Sequence, residues 1–418
     1  MRMSNWADNL AVEVLNFYLN SRDFNGYPTR LIEKHDDVLP VVRQLICERK
    51  IDLVRGDIHP NPHIKALSTE SVDEQIAKLE THGLAGCLYP TPDVLSECHA
   101  EFDDLPPYTR ALKLGAPQLS YRPFDLRSLE WYRNDPRFQL RNNDIQGNIV
   151  QRAETKIGDQ AQVRDKLEFF EFGFAFNANR ERAIAAFLRY LHDLPPEQQF
   201  ELARFELVDE YQLHPDYYRT SISGDFPEGM SIFDAFLLEK RYINEICEIV
   251  GKPPMFKTDK AEQRPENFGF LMRPTKKEFR EFCLLLDQLY SDDLNPKFFD
   301  GDLAKNRILF DEDGNKVTQP IGTIQLLQNW VNKKFKPKNP EAVDTVFRDI
   351  RAIRSARMRP AHVAEENEFS QEYFDKQRDL MVTAYESAKA LRYILQNHPK
   401  AKGYNPPDYL EGATVWLM

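Results

Sequence analysis

Arg357 and His362 are the two side chains of this chain whose types and spacing best suit chemistry on a phosphate. A guanidinium is a planar fork that grips phosphate oxygens in pairs. An imidazole gives and takes protons near neutral pH. Together they suffice to cleave RNA without a metal. A base removes the ribose 2′-OH proton, that oxygen attacks the adjacent phosphorus, and the arginine stabilises the charge that develops. The competing reading is plainer: a buried, salt-bridged arginine, and a histidine that merely opens the next helix.

The elements around the pair must position it. Val343, Phe347 and Ile350 recur at helical spacing, as a buried seam does. Extended, that seam reaches Arg354 and Arg357. Pro360 stops the helix near Arg359, so His362 starts a new segment. Residues 333 to 359 hold nine Lys or Arg against three acids, an excess of six positive charges inside a chain of net charge −11. A solvated helix face explains such a run; so does an RNA-backbone contact through Arg351, Arg354 and Arg359. The spacing alone is cheap. Arg30 and His35 repeat it, and Arg392 and His398 repeat it with one more residue between. The arginines on the expected seam and the proline break single out Arg357 and His362. Arg122, Arg264 and Arg273 are further phosphate-contact candidates.

An Arg-x4-His motif where two long helices meet, in a C-terminal helical region, resembles the HEPN superfamily. The likeness covers residues 226 to 400 at most and centres on 343 to 398. It implies a metal-independent ribonuclease of the kind common in prokaryotic toxin and antiviral defence systems. It implies Arg357 as the phosphate-binding residue, His362 as the proton-transfer residue, and a homodimer with a composite cleft. The N-terminal regions would then sense a trigger, regulate the nuclease, or bind a protein partner. Two readings from other classes stand beside it: a non-catalytic interaction or regulatory protein whose helices dimerise, and a winged-helix DNA-binding regulator.

Other chemistry has less to stand on. Asp57, His59 and His63 offer a metal-ligand set in GDIHPNPH, although Pro60, Asn61 and Pro62 equally build a polar turn. The acidic pairs Asp292/Asp293 and Asp311/Asp313 could hold a cation, but the Asp-Gly of DEDGNK reads as a hairpin turn. There is no Walker A, GxGxxG, GxSxG or HExxH sequence. No cofactor is therefore expected. The five cysteines are scattered without a CxxC pair, which fits core filler in a reducing, cytoplasmic setting. No apolar run is long enough for a membrane span, and no secretory signal is read at the N-terminus.

The expected fold is α+β, mostly α, in three parts. Residues 1–110 form a helical, winged-helix-like region, with Val38, Val41, Val42, Leu45 and Ile46 on one helix face, a strand at 51–54, and a capping box of Ser71 and Glu74. Residues 111–225 form a small α+β domain around a central mixed sheet. Phe170, Phe172, Phe174 and Phe176 alternate there onto one side, as a buried sheet face or a base-stacking row would. Strands are also expected at 118–124 and 138–144, and a helix across 178–194. Residues 226–418 form an antiparallel helical bundle, with Ser231 and Thr275 as helix caps and the longest helix from Ser370 to Asn397.

Overall fold

The computed structural model describes residues 2–153, 162–225, 229–310, 315–336, 339–357, 366–407, 410 and 415–416. The chain divides into two units, Met1–Pro227 and Glu228–Met418, and both sheets and helices are present, so the protein is α+β.

In the first unit, α1 (Arg2–Asn20), β1 (Tyr27–Pro28), α2 (Val38–Cys47), β2 (Ile51–Val54), α3 (Val72–His82) and β3 (Cys87–Pro90) come first. The strands form an antiparallel sheet in the order β1-β3-β2. Leu10, Val14 and Tyr18 repeat every fourth residue along α1 and are buried. The five apolar residues expected on one face of α2 are all buried too. The Ser71 hydroxyl and the Glu74 carboxylate close the expected capping box on α3. The segment after α2 does not form a DNA-reading wing. β2 and β3 are joined through α3 rather than by a hairpin, and Arg55 donates to the carbonyls of Lys78, Gly83 and Ala85 instead of projecting.

The unit continues with α4 (Pro92–Ser96), α5 (Pro107–Lys113), β4 (Tyr121–Phe124), α6 (Glu130–Asn134), β5 (Phe138–Asn142), β6 (Gln146–Gln151), β7 (Phe169–Phe176), β8 (Arg182–Phe187), α7 (Leu188–His192), α8 (Pro196–Ala203), β9 (Gln212–Leu213) and α9 (Pro215–Ser223). The expected boundary at residue 110 does not exist. Gln118 Nε2 donates to the carbonyls of Asp23 and Phe24, at 2.8 and 2.9 Å, and the Phe24 ring packs 4.9 Å from His192. The sheet runs β4-β8-β7-β6-β5, with β9 beside β7. Every pairing is antiparallel, so it is not mixed as expected. Phe170, Phe172 and Phe174 are buried on one face of β7, which excludes them as an open base-stacking row. The segment expected as one helix over 178–194 is the strand β8 followed by short α7. β8 lies between β4 and β7, and from Ala183 onward all its residues are buried. Bulky rings cross the sheet where side chains are missing: a Cβ on Gly147 would collide with Phe172, and one on Gly173 with Tyr217.

The second unit contains β10 (Met230–Ser231), α10 (Ile232–Ile249), α11 (Lys276–Leu289), β11 (Asn306–Phe310), β12 (Lys316–Pro320), α12 (Thr323–Phe335), α13 (Pro340–Ala356), α14 (Glu372–Gln396) and β13 (Val415–Trp416). Ser231 caps α10 and Thr275 caps α11, as expected. The Glu278 carboxylate accepts from the Arg273 amide and guanidinium. α14 packs on α10, α13 and α11; α13 packs also on α11 and α12. Their shared core is rich in rings, among them Phe233, Phe236, Phe268, Phe282 and Tyr290. β11 and β12 pair antiparallel as the expected hairpin, and the turn residues Asp311 and Asp313 lie outside the described residues. No helix is long and apolar enough to cross a membrane among the described residues.

Candidate functional site

The site grows from α13. Asn339 caps this helix by accepting from the Ala342 amide, and Pro340 fits its first position. Val343, Val346, Phe347, Ile350 and Ile353 form its buried seam. The seam therefore continues through Ile353, and Arg354 is exposed beside it rather than on it. The helix ends at Ala356, and Arg357 comes next with an extended backbone.

Both arginines reach the end of α11. Arg357 Nη1 lies 3.2 Å from Asp287 Oδ2 and 3.0 Å from Asp292 Oδ2. Arg354 Nη1 lies 3.3 Å from Ser291 Oγ and 3.4 Å from Asp292 Oδ1. The Ser291 hydroxyl donates to the other Asp287 oxygen. These five residues thus make one connected network. Asp287 is fully buried, while the Arg357 side chain remains 43% exposed. Only Nη1 of Arg357 is engaged; its Nε and Nη2 make no hydrogen bond among the described residues. A guanidinium held at one nitrogen by a buried carboxylate is oriented, and its remaining N–H groups are available to a planar anion.

The other expected residues that are described do not join this network. Arg351 donates to Gln325 and Gln328. His362 and Arg359 lie outside the described residues. Arg122, Arg264 and Arg273 are each paired with an acid, Glu206, Asp234 and Glu278 respectively. Arg392 is fully buried against Glu239, so that repeat of the spacing forms no open site, whereas Arg30 and His35 are both exposed and His35 packs on the Trp6 ring. Asp57, His59 and His63 are not gathered: Asp57 pairs with Lys78, His59 turns onto Asn61, and His63 faces the Gly26 carbonyl and Cys87. Among the described residues no three His, Cys, Asp or Glu side chains come together as a metal set. Asp293 belongs to Lys240 and Thr258.

Burial pushes the thiols of Cys247 and Cys283 up to about 12 and that of Cys87 up to about 11, so these three are poor nucleophiles. Asp287 and Ser291 were not visible in the sequence as site residues. Only the DD pair next to them carried a signal.

No protein-family model, curated protein or solved structure matches this chain.

Proposed function

We propose that the protein is a metal-independent RNA endonuclease of a prokaryotic defence or toxin type, built on an antiparallel, HEPN-like bundle in its C-terminal unit. Arg357 binds the scissile phosphate, and His362 moves the proton. Arg351, Arg354 and Arg359 hold the flanking backbone. Two copies complete the cleft, and the N-terminal unit regulates it or binds a protein partner. The observation that supports this reading is Arg357 itself: half-exposed at a helix end, oriented through one nitrogen by Asp287 and Asp292, with its other donors unused among the described residues and His362 five residues ahead in the chain. In the reaction the 2′-oxygen bonds to phosphorus and the 5′-oxygen leaves with a proton. The products are a 2′,3′-cyclic phosphate and a 5′-hydroxyl end.

The test is RNA cleavage in EDTA by the wild type, Arg357→Ala and His362→Ala, with 5′-hydroxyl ends as the readout. The wild type should cleave and both variants should not. Equal behaviour of all three removes the reading.

A second reading is a non-catalytic interaction or regulatory protein whose helical unit dimerises. It is favoured by the two carboxylates, Asp287 and Asp292, which offset the charge of Arg354 and Arg357 and repel a phosphodiester. Under it, the same assay shows no cleavage by any of the three proteins.

A further inference from the structure

The six-stranded sheet of the first unit backs a cleft of about 700 Å³. Ile149 and Phe170, cross-strand neighbours on β6 and β7, line it together with Leu202 of α8 and Phe205. This volume falls within the range of small-molecule sites, roughly 300–1,000 Å³. The lining is mainly apolar, with a few polar groups.

Those polar groups are not equivalent. Asp135 is taken by Arg137, and Glu201 by Arg204 at 3.0 Å. Glu130 is engaged as well, and Arg127 belongs to Asp125. Arg164 differs. Its guanidinium carbon lies 4.3 Å from the centre of the Trp131 ring, and the group makes no ion pair or hydrogen bond among the described residues. Tyr132 also lines the cleft, and its hydroxyl donates to no described residue. Burial raises the phenol above its ordinary range, against the opposing pull of Arg164, so it stays a protonated donor. A partly buried cation with no counter-ion among the described residues, held over an indole beside an apolar cleft, is a half-complete pair.

We propose that the first unit binds a small amphipathic anion, its apolar acyl or aromatic body in the cleft and its carboxylate or phosphate on Arg164. Arg164 sets the sign of the head group, and the apolar walls set the bulk of the body. The site is independent of Arg357 and of the nuclease reading.

Isothermal titration of the full chain tests it, with decanoate, decyl phosphate and decanol as probes. At least one of the two anions should bind, and decanol should bind roughly tenfold more weakly or worse, because a charge-assisted bond to Arg164 is missing. The stronger anion identifies the head group as carboxylate or phosphate. Arg164→Ala, a partly exposed position that leaves the core intact, should reduce the anion to the level of decanol. Leu202→Trp, which pushes a ring into the cleft, should weaken binding of all three, with circular dichroism confirming a folded chain. Failure of both anions to bind, equal binding of decanol, or unchanged anion binding by Arg164→Ala overturns the proposal.

Discussion

Arg392 of α14 and Glu239 of α10 form an ion pair with no solvent exposure on either side: Nη2 lies 3.1 Å from one carboxylate oxygen, and Nε donates to the other. It fastens the two helices of the second unit that pack most extensively on each other. Removing one partner of such a pair leaves a stranded charge. Arg392→Ala should therefore cost about 3–5 kcal/mol. Replacing both residues by leucine should recover most of that loss. Urea denaturation of the wild type and the two variants measures both effects.

The network at Arg357 is asymmetric, and its variants should be too. Arg357→Ala leaves the buried Asp287 carboxylate with less support, so a loss of about 1–3 kcal/mol is expected. Asp292 is itself 39% exposed, so Asp292→Ala should cost less than about 1 kcal/mol. Under the nuclease reading, Asp292→Ala also tightens RNA binding, because it removes a negative charge beside the phosphate site. Filter binding at fixed salt checks this; unchanged or weaker binding counts against a phosphate at Arg357.

Asp302 should make the second unit sensitive to acid. Burial alone would raise its carboxyl, but hydrogen bonds from Lys252, Lys334 and Trp330 outweigh that and hold it well below the usual carboxylate range. A carboxyl depressed in the folded state stabilises above its unfolded value, near 3.9, and that contribution fades as pH falls toward the folded value. Asp302→Asn should thus be less stable than the wild type at pH 7 by about 1.5–3 kcal/mol. The gap should narrow below about pH 4. Denaturation midpoints across pH 2 to 7 test the sign.

Gly173→Ala should destabilise the first unit by about 1–3 kcal/mol or more, since the new methyl group meets the Tyr217 ring lying across the strand. Tyr217→Ala in the same background removes the clash. If Gly173→Ala alone melts like the wild type, the ring is not held there.

Local signals were the legible part of this chain. The Ser71–Glu74 box, the Ser231 and Thr275 caps, the seam of α2 and the Phe alternation of β7 each depend on residues within a few positions of one another. The misreadings are non-local. Ala183, Ala185 and Ala186 favour a helix intrinsically, yet strands on both sides draw them into β8. At α13, stepping from Ile350 to Arg354 rather than to Ile353 placed an exposed arginine on the seam. Asp287 sits 70 residues from Arg357, and nothing in the intervening sequence announces their contact. The cleft beside Trp131 is a property of the assembled sheet, so no short stretch could reveal it.

Two glycines of the six-stranded sheet that meet aromatic rings, Gly147 at Phe172 and Gly173 at Tyr217, bear on ancestry. Each ring sits where a side chain on the glycine would be, so the glycine can gain a side chain only if its ring is replaced by something smaller. The same two couples at matching strand positions in another chain would be a sharper mark of common descent than the easily repeated arginine–histidine spacing.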